Sequence, residues 1–234
     1  MKTYNKSGER LVKKVFQDVS DKYDLMNDLM SLGIHRIWKK KFMEYLNPQP
    51  NTKLIDVASG TGDIAKLFLE KVNYKGNVFC LDENKEMLEL SKKKLKNLKN
   101  ANWLCGNAEK LPFKDNQFDY YTISFGIRNV ENIEKALTES FRVLKPGGRF
   151  LCLEFSKVKS NILNNFYKIY SKSIPQIGEL VVGKSAPYKY LVESIENFYS
   201  QEQLLTKIKN SNFSNTSFRN LNNGIVAIHS GWKI

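Results

Sequence analysis

The segment Leu54-Ile55-Asp56-Val57-Ala58-Ser59-Gly60-Thr61-Gly62-Asp63 restricts what this chain can fold into more than any other. An apolar run reads as a buried strand, the glycines at 60 and 62 read as a tight turn, and the DIAKLFLEKV that follows has helical spacing. A glycine turn between strand and helix lets backbone amides approach a ligand where a Cβ would clash, and it aims the helix N-terminus at that ligand. Twenty residues past Gly62, at the end of the next apolar run NVFCLD, stands Asp82, placed to accept hydrogen bonds from both hydroxyls of a ribose. These features predict an adenosine-bearing cofactor over the C-terminal ends of a parallel sheet.

Strand-like and helical stretches keep alternating: NVFCLD, KEMLELSKKKLKNL, ANWLCG, FDYYTISF, a helix over 132–144, a Lys145-Pro146-Gly147-Gly148 turn and RFLCLEF. Such alternation predicts an α/β fold with helices on both faces of a parallel sheet. The end, TSFRNLNNGIVAIHSGWKI, carries Asn223-Gly224 between two alternating runs, a two-residue hairpin signal. A terminal antiparallel hairpin separates methyltransferases from ordinary dinucleotide-binding folds, so the expected class is the Rossmann-like, seven-stranded class I S-adenosylmethionine-dependent methyltransferase. With 234 residues and 41% hydrophobic content, one domain is expected. Its parts are an N-terminal helical substrate cap over 1–50, a cofactor-binding core over 51–155, a helical insertion over 156–200, and a C-terminal helix and hairpin over 201–234. Within the cap, apolar residues from Val12 to Phe42 recur at three-to-four spacing with a break near Gly33. The insertion, roughly 161–199, carries Tyr167, Tyr170, Ile174, Leu180, Tyr188 and Tyr190.

Gly60-x-Gly62-x-x-Ala65 alone also fits a dinucleotide fingerprint. Three further features favour S-adenosylmethionine. Asp56, late in the first strand, can order water and the cationic methionine end of the cofactor, whereas a pyrophosphate would be repelled there. Asn107-Ala108, after the third strand, can cover the adenine edge, and Ser124 ends the fourth strand where the methionine portion would lie. The competing reading of Asp82 and Asn107 is ordinary loop capping. The run Ser124-Phe125-Gly126-Ile127-Arg128-Asn129-Val130 sets an arginine and an amide beside that strand end. Arg128 there either binds a phenolate or assists its deprotonation, or else forms a surface ion pair.

Thirty-seven Lys plus Arg against 24 Asp plus Glu give a formal charge of +13, suited to polyanions such as RNA or an anionic membrane leaflet, although a Lys- and Asn-rich compositional habit accounts for it equally. Cys80, Cys105 and Cys152 lie in apolar stretches and predict buried thiols in a reducing compartment. The first residues lack the apolar core of a secretory signal, and no run has the ~18 apolar residues of a membrane span. A cytoplasmic chain, soluble or peripheral on a membrane, is expected. His35 and His229 are the only histidines and no ligand cluster accompanies them, so no metal is expected.

The stretches VFQDVSDKYDLMNDLMSLGIHRIWKKKF, DVASGTGDIA, GNAEKLPF, ISFGIRNV, RVLKPGGRFLCLEFS and YKYLVESIENF closely resemble the ubiquinone/menaquinone biosynthesis C-methyltransferase family over nearly the whole chain. YDLMNDLMSLGIHRIW and SFGIRNV are the specific signals; the glycine turn is shared by many methyltransferases. The resemblance implies methyl transfer from S-adenosyl-L-methionine to a ring carbon of a polyprenylated quinol, either 2-methoxy-6-polyprenyl-1,4-benzoquinol or demethylmenaquinol. It implies cofactor contacts from Thr61, Asp82, Asn107, Ala108 and Ser124. It also allows a homo-oligomer or biosynthetic complex, on the inner face of the inner membrane or the mitochondrial inner membrane. Ser59 departs from the family, standing where many members have glycine, which puts cofactor affinity in question.

A neutral aromatic carbon is a poor nucleophile, but loss of a phenolic proton pushes charge onto the ortho carbon, which then attacks the methyl in line. Arg128, or a water held by Arg128 and Asn129, is the leading candidate to support that charge. Tyr23, Asp24 and His35 are candidate substrate-pocket groups, and the C-terminal GIVAIHSGWKI, like that of Gram-negative or mitochondrial relatives, inclines toward the benzoquinol. The rival functions are an RNA methyltransferase, favoured only by charge; a nicotinamide oxidoreductase, which leaves Asp56 and the hairpin unexplained; and a non-catalytic cofactor-binding subunit. No nucleic-acid partner is expected.

Overall fold

The computed structural model describes Asp28, Ser31, residues 33–158, Pro175, Gln176, Glu179 and residues 185–234. The sequence candidates Tyr23 and Asp24, most of the expected cap helix before Gly33, and much of the insertion lie outside the described residues. In chain order the elements are α1 His35–Leu46, β1 Thr52–Val57, α2 Asp63–Lys71, β2 Gly76–Asp82, α3 Lys85–Lys94 and β3 Ala101–Cys105. There follow β4 Phe118–Ser124, a 3-10 turn Ile127–Asn129, α4 Ile133–Val143, β5 Leu144–Phe155, α5 Ala186–Asn197, α6 Gln201–Asn210, β6 Ser214–Leu221 and β7 Val226–Trp232.

The strands form one seven-stranded sheet in the order β3-β2-β1-β4-β5-β7-β6. β1 to β5 run parallel; β7 lies antiparallel to both β5 and β6, as the terminal hairpin predicts. The strand order reverses direction between β1 and β4, and in such sheets ligands bind outside the carboxyl ends at that crevice. Leu54, Ile55, Asp56 and Val57 are all buried, because helices cover both faces of β1. Leu54, Val78, Leu151, Leu153 and Ile228 pack with Phe42, Phe68, Tyr188 and Leu191 on one face. Ile55, Val57, Ile123, Phe150 and Cys152 pack with Leu137, Leu204 and Ile208 on the other. The edge strand β6 alternates instead between half-buried and exposed positions until Leu221, which is buried.

Helix starts follow side-chain capping. Asn84 accepts from the amides of Glu86 and Met87 at α3, Asn132 from Lys135 at α4, and Ser200 with Gln203 forms a reciprocal capping box at α6. α1 begins just after Gly33, whose φ of 76° breaks the helical run where the sequence places a break. Its C-terminal end is clamped by Arg149, whose Nη1 donates to the carbonyls of Tyr45 (2.7 Å) and Leu46 (3.3 Å). The guanidinium also lies 4.7 and 4.9 Å from the rings of Tyr45 and Trp232, so a cation meets the negative end of the helix dipole and two aromatic faces at once. Trp38 Nε1 donates to Asn222 Oδ1 at 2.8 Å, tying α1 to the hairpin.

Three details depart from expectation. Cys105 is exposed, unlike Cys80 and Cys152, because it ends β3, the edge strand of the parallel half. The 145–148 turn does not precede β5 but loops out within it: Phe118 pairs with Leu144 while Tyr120 pairs with Arg149. The hairpin connection spans 222–225 rather than two residues, with positive φ at Asn222, Asn223 and Gly224.

His229 on β7 is buried, and its Nε2 donates to the Gln201 carbonyl at 3.0 Å while Nδ1 has no partner among the described residues. Burial lowers its pKa from 6.5 to about 4. The unfolded chain therefore takes up this proton at a higher pH than the fold does, so the stability of the neutral form is complete above pH 6.5 and is lost as pH falls toward 4. Between pH 7 and 5 the loss through this group amounts to about 2 kcal/mol. Urea unfolding of the protein should show that loss relative to His229→Gln; parallel pH profiles of the two proteins would contradict it.

Candidate active site

The C-terminal ends of β1 and β4 turn sharply at the crevice. Ala58 and Phe125, each the residue after its strand, adopt φ of 52° and 56°. Left-handed backbone at non-glycine residues costs about 1–2 kcal/mol and persists only where the surroundings enforce it. Here Gly126 packs against Ala58 so closely that a Cβ on it would fall 2.4 Å from the Ala58 Cβ. The glycine turn is equally confined: Gly62 has φ 84°, and a Cβ there would lie 2.4 Å from Ser91 Oγ and 2.6 Å from Leu95 Cδ1.

Asp82 stitches this turn to the end of β2, accepting from Gly60 N through Oδ2 and from Asn84 N through Oδ1, each at 2.9 Å. Burial raises its pKa, and the backbone donors oppose the rise. Asp56 lies deeper and is almost wholly buried; its Oδ1 accepts from Thr122 Oγ1 at 2.8 Å, its neighbour in register on β4. Burial pushes the Asp56 carboxyl up to about 7, against the Thr122 hydrogen bond and the nearby positive charge of Lys39. Asp56 Oδ2, Ser59 Oγ and Ser124 Oγ are buried without a hydrogen-bond partner among the described residues. Buried polar atoms are normally paired, so three unpaired oxygens around the ends of β1 and β4 mark a place for a ligand rich in donors. Glycines that admit backbone, a carboxylate with a free oxygen and two free hydroxyls fit the cationic methionine end of S-adenosylmethionine.

Thr61 is buried in the turn, with Lys94 Nζ 3.5 Å from its hydroxyl. Asn107 is exposed and its Oδ1 caps the amide of Glu109 at 2.6 Å, the loop-capping role weighed for it above; Ala108 beside it is half-buried. Lys39 and Asp63 were not anticipated. Lys39, buried one helical turn after His35, places Nζ 2.8 Å from Asp63 Oδ2, and Lys94 holds Oδ1 at the same distance. Burial alone would raise the Asp63 carboxyl, yet these two ammonium groups hold it well below the ordinary range. His35 belongs to this side as well: Nδ1 lies 2.9 Å from Ser31 Oγ and 3.6 Å from Asp28, and burial lowers its pKa.

Arg128, on the 3-10 turn after β4, is no surface residue. Its side chain is 4% exposed and that of Glu154, which it meets at 2.7 Å, is 1% exposed. Nη1 also donates to the Phe125 carbonyl at 2.7 Å, and Nε reaches Ser194 Oγ on α5 at 3.4 Å. Asn129 Oδ1 accepts from Tyr190 on the same helix at 3.0 Å. Both residues of the specific sequence run are thus joined to α5. The sign that Glu154 has a task was a lone carboxylate inside the apolar run RFLCLEF.

Residues 4–233 match the model of the ubiE/COQ5 methyltransferase family. The chain is 53% identical over 231 residues to the ubiquinone/menaquinone biosynthesis C-methyltransferase UbiE of Rickettsia prowazekii (strain Madrid E), covering 96% of this chain and 93% of that protein. It is 51% identical over 233 residues to the UbiE of Rickettsia bellii (strain RML369-C), with 97% and 94% covered. Among solved structures, an S-adenosylmethionine-dependent methyltransferase of Thermotoga maritima, titled a possible histamine N-methyltransferase, superposes with a TM-score of 0.68 at 18% identity, covering 94% of this chain and 99% of that one. Another such methyltransferase from Aquifex aeolicus gives 0.65 at 18%, over 89% and 97%. At that identity the two structures speak for the fold alone.

The free Asp56 oxygen carries a prediction. A cationic ligand binds the ionised carboxylate, which forms as pH rises through about 7. Affinity for S-adenosylmethionine should therefore climb from pH 6 to 8 and level off above, with proton release at pH 6 seen by calorimetry in buffers of different ionisation enthalpy. Asp56→Asn should weaken binding about tenfold or more, ~1.4 kcal/mol, and flatten the profile. Equal affinity at pH 6 and 8 with no proton released would refute the assignment.

Proposed function

The chain belongs to the ubiE/COQ5 methyltransferase family, and from that membership we propose how its residues carry the reaction and where it takes place. The protein is an S-adenosylmethionine-dependent C-methyltransferase of ubiquinone/menaquinone biosynthesis, acting on a quinol ring. The bound cofactor supplies an electrophilic methyl group on sulfonium. Asp56, Ser59 and Ser124 hold its methionine end through the buried oxygens that have no other partner among the described residues. Asp82 receives the ribose hydroxyls beside the glycine turn, and the backbone of Gly60, Thr61 and Gly62 gives the ligand room. Asn107 and Ala108 cover the adenine edge.

The carrying observation for the chemistry is the Arg128 guanidinium, buried next to the strand end that bears Ser124 and held by Glu154, Phe125 and Ser194. Arginine stays protonated in proteins, so its role is to stabilise the phenolate, and the proton leaves to water held beside Arg128 and Asn129. A fixed positive charge in a site screened from solvent stabilises developing negative charge far better than a mobile one in water. Tyr23, Asp24 and His35 are proposed as secondary groups of the substrate pocket. The benzoquinol is favoured over the naphthoquinol, with both accepted.

The substrate's polyprenyl tail calls for work at a membrane. No described helix is long and apolar enough to cross one. α1 instead exposes Arg36, Ile37, Lys40 and Lys41 together, with Ile37 54% exposed, a basic face with an apolar tip. We propose that this face leans on anionic headgroups in a peripheral association.

The test is methyl transfer from labelled S-adenosylmethionine to reduced short-chain benzoquinol, reduced demethylmenaquinol and bulk RNA. Label is expected in the quinols; label only in RNA would overturn the proposal. Arg128→Gln should lower kcat about a hundredfold or more with cofactor affinity kept, and wild-type turnover in that variant would remove Arg128 from the chemistry. Co-sedimentation with anionic vesicles is expected to fall as salt rises; binding indifferent to salt would contradict the electrostatic contact.

A further inference from the structure

The pairing of Arg128 with Glu154 poses an electrostatic contradiction. A guanidinium that stabilises a phenolate works best without a competing anion, yet Glu154 Oε1 sits 2.7 Å from Nη1 and partly neutralises it. Two buried charges of this kind gain little net stability over apolar residues of the same volume, so the pair is not explained by fold stability. What the carboxylate supplies is location. Glu154 stands at the penultimate position of β5, and Oε1 accepts from the amide of Phe155 at 2.9 Å, which fixes the carboxylate to the sheet. From there it takes Arg128 Nη1 through Oε1 and, at 3.4 Å, the Arg128 backbone amide through Oε2. Phe125, whose strained backbone turns the chain at the end of β4, offers its carbonyl to the same Nη1. Ser194, itself donating to the Leu191 carbonyl at 2.8 Å, meets Nε at 3.4 Å.

We propose that Glu154 is a positioning residue for methyl transfer: it holds the Arg128 guanidinium at one point relative to the ends of β4 and β5, at the expense of part of that guanidinium's charge. The inference rests on the reading of Arg128 as the phenolate-stabilising group. α5 shares in the device through Ser194 and through the Tyr190 hydroxyl on Asn129, so the helix that follows the insertion is keyed to the same point.

The sign of one substitution separates position from charge. Glu154→Gln keeps the shape and removes the anion. By charge alone, Arg128 would then stabilise the phenolate better, and the pH midpoint of kcat would move down. If the carboxylate positions Arg128, kcat should fall between about tenfold and a hundredfold and the pH midpoint should move up, with the S-adenosylmethionine Kd within about twofold of the wild type. Glu154→Asp, which keeps the charge but withdraws it by one methylene, should lie between the two. Introduced into Arg128→Gln, Glu154→Gln should add little further loss, because both act through one group. Should Glu154→Gln fail to fold, the Glu154→Asp profile decides by the same readout. A downward or unmoved pH midpoint with wild-type kcat overturns the inference, as does a full multiplicative loss in the double variant. Wild-type kcat in Arg128→Gln would instead sink the underlying reading, and a slow Arg128→Gln beside a normal Glu154→Gln sinks only the positioning role.

Discussion

A carboxylate taken out of water at the end of a parallel strand is the constraint around which the rest of this molecule is arranged. Asp56 lies in the middle of the sheet, hydrogen-bonded on one oxygen to Thr122 and, among the described residues, unpartnered on the other. Without a cation its ionised form is costly, which is why its pKa stands near 7 rather than near 4. In the function proposed above, a positively charged ligand offsets that cost, and S-adenosylmethionine brings sulfonium and ammonium in one molecule. The turn around it follows: Gly62 leaves no room for a Cβ, Ala58 and Gly126 touch across the two strand ends, and Asp82 ties the turn to β2.

A second polar centre lies at the ends of β4 and β5. There the buried charges of Arg128 and Glu154 satisfy one another, and the helix α5 adds Ser194 and Tyr190. The two centres share the strand β4, since Thr122 serves the first and Ser124 leads directly into the turn that carries the second. Reaction geometry in methyl transfer tolerates little error along the line of carbon, methyl and sulfur, and a rigid shared strand is a simple way to hold both partners. α1 closes the other side: Lys39 reaches Asp63 beside the glycine turn, Arg149 clamps the helix end to the sheet, and Trp38 packs against Phe125 and Phe155.

Much of this was legible in the sequence because it is local. Strand, glycine turn and helix follow one another within residues 52–71, and the alternating runs at the C-terminus announce the hairpin. What escaped was what the chain brings together from afar. Glu154 is 26 positions from Arg128 and Ser194 is 66, so nothing in either neighbourhood discloses the network, and the one ion pair that the sequence offered Arg128, as the alternative to a role toward a phenolate, was at the surface. Cys105 looked buried because its neighbours are apolar; its place on an edge strand is a property of the sheet order. The hairpin connection widened for a local reason that a dipeptide signal overlooks, since Asn222 also enters the left-handed region and gives its side chain to Trp38.

The most direct test of this account is a structure of the protein with S-adenosylhomocysteine and a quinol analogue bound. Asp56 Oδ2 and Ser124 Oγ should then lie within about 2.6–3.2 Å of the methionine portion of the ligand, with the quinol oxygen facing Arg128 in its unchanged bond to Glu154. A ligand bound elsewhere, with those oxygens still unpaired and Arg128 turned away from the quinol, would contradict the account at its root.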